Sequence, residues 1–184
     1  MANAKQIARI FEYLGMKAEG TPVEKTRLNK LLFFAQGHAL AELGHKLFSN
    51  QIDAWDFGPV VAVVYTGFEK ILEDTKKNGI SDIQIAPDEL DIIMDVWDHY
   101  HPYTATELVT LTHEQGTPWQ ETYKSGERNV HISVDLIKRF FELPQNRLIH
   151  AENEKELPTV SVLPAEEYES DEDSVWEALL NDAQ

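Results

Sequence analysis

Apolar residues recur at helical spacing from the start of the chain. Ile7, Ile10, Phe11 and Leu14 stand at i, i+3, i+4 and i+7, which predicts an amphipathic helix that Gly15 ends. Thr21-Pro22-Val23-Glu24 reads as a capping box, with Thr21 capping, Pro22 at the first helical position and Glu24 reaching back. The helix it opens carries Leu28, Leu31, Leu32, Ala35, Ala39 and Leu43, a stripe broad enough for burial on most sides, and Gly44 stops it. The period then changes to two: Ile52 and Ala54 alternate with Asp53, Trp55 and Phe57, as in a short extended segment. Asp56-Phe57-Gly58-Pro59 ends that segment, and Pro59 is placed to start a helix whose stripe is Val60, Val61, Val64, Tyr65, Phe68, Ile71 and Leu72. Lys76-Lys77-Asn78-Gly79 follows as a turn.

The second half repeats the theme. Pro87-Asp88-Glu89 opens a helix with Leu90, Ile93, Trp97 and Tyr100 on one face, and Thr104-Ala105-Thr106-Glu107 is a capping box before Leu108 and Leu111. Thr117-Pro118 begins a short helix containing Trp119. Val130-His131-Ile132 is extended and able to pair with Ile52-Asp53-Ala54. Ser133 then caps a helix bearing Leu136, Ile137, Phe140 and Phe141 that Pro144 terminates. The expectation is a mainly α, compact single-domain bundle of about seven helices with a small two-stranded β element, over residues 1–147, followed by an acidic C-terminal tail, 148–184. Within the tail, Ser174 and Glu177 make a capping box for a short amphipathic helix over 174–181, with Val175, Trp176, Leu179 and Leu180 on its apolar face. A helix that short needs a surface to dock on.

Charge sharpens this division. The chain carries a formal −16 over 184 residues. From Ala151 onward eleven acidic residues face one lysine, Lys155, so −10 lies in the tail and −6 in the body. So acidic a chain is repelled by phosphate backbones, which disfavours nucleic-acid binding. The absence of cysteine excludes disulfide frameworks and thiolate zinc sites. No secretory leader pattern and no apolar run long enough for a bilayer occurs, so a cytoplasmic protein is expected.

Candidate chemistry is sparse. His99, His101 and His113 invite a metal reading, and a metal-dependent hydrolase is the enzymatic alternative, but no His-Glu-x-x-His spacing exists; solvent-facing or helix-capping histidine is the competing reading. No nucleophile elbow, phosphate loop or dinucleotide fingerprint is present, so neither enzyme activity nor a cofactor is expected. Trp55, Trp97 and Trp119 lie in apolar patterns or corners and read as core. Trp176 stands in the acidic tail, where it is either an interface anchor or a side chain that folds back on its own domain.

Leu28-Asn29-Lys30-Leu31-Leu32-Phe33-Phe34-Ala35-Gln36-Gly37-His38, followed by Ile52-Asp53-Ala54-Trp55-Asp56-Phe57-Gly58-Pro59-Val60, Leu111-Thr112-His113-Glu114-Gln115-Gly116-Thr117-Pro118-Trp119 and Ile132-Ser133, resembles the Panacea domain over about residues 5 to 142. That family includes SocA-like antitoxins and phage-associated GepA-like proteins. The resemblance implies a bacterial or prophage antitoxin of a type II toxin–antitoxin system, which neutralises a cognate toxin, usually encoded beside it, by direct contact. It also admits an adaptor that delivers the toxin to a AAA+ protease. It implies no catalytic residues, and Phe34, Gln36, Trp55, Gly58, Pro59 and Trp119 read as architectural. Net charge favours a basic toxin. Partner contacts are expected on outer helix faces and in the tail, at Val175, Trp176, Leu179 and Leu180.

Overall fold

The computed structural model describes residues 2–127 and 130–148. The tail helix and its candidate anchors Val175, Trp176, Leu179 and Leu180 lie outside the described residues. The architecture is mainly helical, with a two-stranded antiparallel sheet. Helix α1 (Ala4–Glu19) leads to α2 (Lys25–Glu42), then strands β1 (Asp53–Trp55) and β2 (Gly58–Val60). Helices α3 (Ala62–Thr66), α4 (Phe68–Asn78), α5 (Pro87–Tyr100), α6 (Ala105–His113), α7 (Pro118–Thr122) and α8 (Val134–Glu142) follow, with a 3₁₀ turn at Pro144–Asn146.

Helix α2 is the axis of the molecule. Every residue from Leu28 to Leu40 is buried, because α1, α3, α5, α6, α8 and β2 all pack on it. A helix surrounded on all sides has no polar face, which is why its apolar stripe is so broad. Close approach is built in at Gly37: a Cβ there would stand 2.2 Å from ring carbons of Phe141 on α8. Leu148 closes the described core, with 7% of its surface exposed.

The extended segments pair as expected and also correct one reading. His131 bridges Asp53; the Ala54 amide donates to the Val130 carbonyl (2.9 Å) and the Ile132 amide to Ile52 (2.8 Å). Gly58-Pro59-Val60, however, is a strand and not the start of a helix: Ala54 opposes Pro59 and Trp55 opposes Gly58 across a two-residue turn. Pro59 offers no N–H to a ladder, a loss this short strand tolerates. The helical stripe after it is two helices broken at Gly67, which raises the count from seven to eight among the described residues.

Other boundaries move for tertiary reasons. α1 runs past Gly15 to Glu19 and ends at Gly20, whose φ of 71° is the left-handed cap. Gly15 serves packing instead, since a Cβ there would meet Val23 at 2.5 Å. α2 starts at Lys25 with Glu24 as its cap, and Thr21 plays no capping part. The cause is Val23, fully buried, whose amide donates to a carboxyl oxygen of Glu12 at 3.0 Å and so holds the loop extended. The capping box at Thr104 and Glu107 and the Thr117 cap form as read, whereas Ser133 occupies its cap position without a side-chain bond. Lys76 to Asn78 continue α4 up to Gly79.

Candidate partner-binding site

The motif residues divide between the axis helix and the corner beyond it. Phe34 stacks on Tyr100 of α5 at 4.0 Å between ring centroids and meets Phe141 edge-on at 6.2 Å, tying three helices together. Gln36 is a splint. Its side-chain carbonyl accepts the amides of Leu47 (3.0 Å) and Phe48 (3.1 Å), and its Nε2 donates to the Phe48 carbonyl (3.1 Å). That one buried amide satisfies three backbone groups of the chain leaving α2, groups that burial would otherwise leave costly.

At the corner, two neighbouring α2 residues clamp β2. Asn29 accepts the Val61 amide at 3.0 Å while donating to the Lys25 carbonyl at 2.9 Å. Lys30, with no exposed surface, donates its Nζ to the Pro59 carbonyl at 3.1 Å. Burial pushes the Lys30 ammonium down from the usual 10.5 to about 7, opposed by the charge of Glu24. Gly58 lies directly over this lysine with φ of 99°, and a Cβ there would stand 2.7 Å from Lys30 Cε and from Thr112 Oγ1. Only glycine combines that dihedral with that clearance.

Aromatic groups from α6 and α7 hold the other side. Trp119 donates its Nε1 to the Trp55 carbonyl at 2.7 Å, and its ring lies 3.6 Å from that of His113 and 4.6 Å from that of Tyr123. Tyr123 donates its hydroxyl to the Asp56 carboxylate at 2.8 Å, and His113 Nε2 faces the Asp56 carbonyl at 3.2 Å. Trp55 meets Tyr65 edge-on at 5.1 Å, with the Lys25 ammonium 5.1 Å over the Tyr65 ring.

One residue of this motif does not pack. Phe57, at the hairpin tip, is 74% exposed, unlike Trp55 and Trp119 beside it in the motif. The expected helix start at Pro59 leaves no place for this hairpin or for its two exposed turn positions, Asp56 and Phe57.

The histidines do not assemble. His101 lies over the Trp97 ring with Nδ1 on that residue's carbonyl at 2.9 Å, His99 is edge-on to Tyr100, and Nδ1 of His113 faces the Val109 carbonyl at 2.6 Å. Among the described residues no group of three or more His, Asp or Glu side chains is placed to hold a metal. A cleft of about 230 Å³ lined by Gln36, Lys46, Asn50, His131, Ser133 and Ile137 is smaller than the ~300 Å³ at which ligand pockets begin. No described helix is long and apolar enough to cross a membrane.

The family model of the SocA-like antitoxin Panacea domain matches residues 28–120, from the first buried turn of α2 to α7. The chain belongs to the Panacea-domain family. Antitoxin SocA of Caulobacter vibrioides (strain NA1000 / CB15N) is 34% identical over 127 residues, which is 62% of this chain and 68% of the relative. No solved structure matches. The Panacea match contains the Gln36 splint, the Asn29–Lys30 clamp and the Trp55–Trp119 corner, whereas α1 and α8 pack on it from outside its limits.

Proposed function

We propose that this protein is the antitoxin of a type II toxin–antitoxin pair and neutralises its toxin by holding it in a protein–protein complex. The observation that carries this reading is membership in the SocA-like family, with a relative named as an antitoxin covered over 68% of its length. Two features of the chain support binding as the mode of action. The corner is braced for shape, with Asn29, Lys30, Gly58 and Trp119 committed to packing or to hydrogen bonds with its backbone. The net charge of −16 favours encounter with a basic toxin by electrostatic steering. The tail residues Val175, Trp176, Leu179 and Leu180 supply a second contact, which raises effective concentration once the body is engaged.

The test is co-expression with the product of the adjoining gene. Growth rescue together with co-purification of a stoichiometric complex is the expected result, and rescue persists in strains lacking AAA+ proteases. Rescue that disappears with the protease transfers the protein to the adaptor role, and absence of both rescue and complex overturns the antitoxin reading.

A further inference from the structure

We infer that the hairpin tip is the docking surface for the toxin: Phe57 inserts into an apolar pocket of a basic partner surface, flanked by Trp55 and Tyr65. This rests on the antitoxin reading above. A single exposed apolar residue has no meaning by itself. Phe57 differs in three respects.

First, it stands on the same hairpin as Trp55, which is half-buried two residues earlier in the chain and joins Tyr65, 39% exposed, through an edge-on contact, so an aromatic ridge of Trp55 and Tyr65 links this hairpin to α3. Second, the ridge is rigidly mounted. The Trp55 carbonyl is held by Trp119, Asp56 by Tyr123 and His113, and β2 by Asn29 and Lys30. An aromatic presented on a pre-ordered frame loses little entropy on binding, which is how a few aromatic anchors come to dominate an interface. Third, the rim on the α6–α7 side is acidic, while on the far side Lys25 lies over Tyr65. Asp56 in the turn, Glu114 after α6 and Glu121 on α7 are all exposed, and these elements converge on the Asp56–Trp119 contacts. A second copy of this chain, or its own acidic segment after Ala151, would bring like charge against that rim. A surface with lysine and arginine around an apolar pocket is complementary to it.

The experiment measures binding of the full chain to the purified adjoining-gene product, with Phe57→Ala, Phe57→Glu and, as a control on an exposed apolar residue of another element, Leu143→Glu (Leu143 is 44% exposed). Phe57→Ala is expected to weaken binding at least about tenfold and Phe57→Glu further, with unchanged unfolding midpoints, while Leu143→Glu binds as the wild type does. Wild-type affinity is expected to fall with added salt. If the wild type binds and both Phe57 variants bind equally well, the docking surface is refuted and the antitoxin reading stands. If the wild type does not bind at all, the antitoxin reading fails and takes this inference with it. Sedimentation adds a further outcome: Phe57→Glu that dissociates a dimer of this chain without changing affinity for the partner assigns the ridge to self-association and overturns the proposal.

Discussion

Replacing Lys30 by methionine tests how the corner is held. The ammonium has no exposed surface, donates to the Pro59 carbonyl and has its proton affinity pulled down to about 7. In the unfolded chain the same group binds its proton up to the usual 10.5. Between those two values the unfolded state holds a proton that the native state has released, so stability rises with pH across that window, by about 1.4 kcal/mol per pH unit at most. Below about 7 both states are protonated and the full penalty of the buried charge, a few kcal/mol, is present. Methionine keeps the stem and removes the charge, at a cost of ~1–3 kcal/mol for the Pro59 carbonyl left without its donor. Lys30→Met is therefore expected to be the more stable protein at pH 6 and to lose that advantage steadily toward pH 10. Urea unfolding followed by tryptophan fluorescence at pH 6, 7, 8, 9 and 10 measures the difference. A stability difference that stays constant over this range refutes the reasoning, since it shows that the buried amine does not change its protonation in the native state.

Glu12 behaves in the opposite sense. Burial raises its carboxyl to about 8, against the Val23 amide and Arg27, so the native state keeps a proton that the unfolded state releases above 4.5, and stability falls as pH rises between those values. Glu12→Gln is expected to remove that decline in a pH series of unfolding midpoints; an unaltered decline contradicts the assignment. Gln36→Leu strands two amides and a carbonyl around Phe48 and should cost ~2–4 kcal/mol in urea unfolding, whereas a loss below 1 kcal/mol shows that the splint is dispensable. Gly37→Ala places a methyl 2.2 Å from the Phe141 ring and should lower stability by ~1–3 kcal/mol, an effect that Phe141→Leu in the same chain partly relieves.

What was legible in the sequence was whatever depends on neighbours along the chain. Helices announced themselves through apolar spacing, and the box at Thr104–Glu107 and the Thr117–Pro118 start marked their helices correctly because a cap uses donors within three residues. Family membership was legible too, since the motifs that contain Trp55, Gly58, Pro59 and Trp119 can be read along the chain without the fold. The readings that failed were those in which a distant residue overrides a local preference. Gly15 looks like a stop but lies inside α1 because Val23 packs on it, and Thr21 loses its cap because Glu12 captures the Val23 amide. Pro59 has the dihedral of a helix start, yet Lys30 and Asn29 hold it and Val61 extended.

The sequence by itself determined a helical, acidic, cysteine-free chain of the Panacea type and most of its helix starts, because spacing, caps and charge are local or additive properties. Tertiary structure decided what those properties became. It turned an apparent helix start into a hairpin, buried a lysine beneath a glycine, and left Phe57 uncovered while every other aromatic of the motif went inside or half inside. Exposure depends on which elements lie opposite a side chain in space, which no pattern of neighbouring residues specifies.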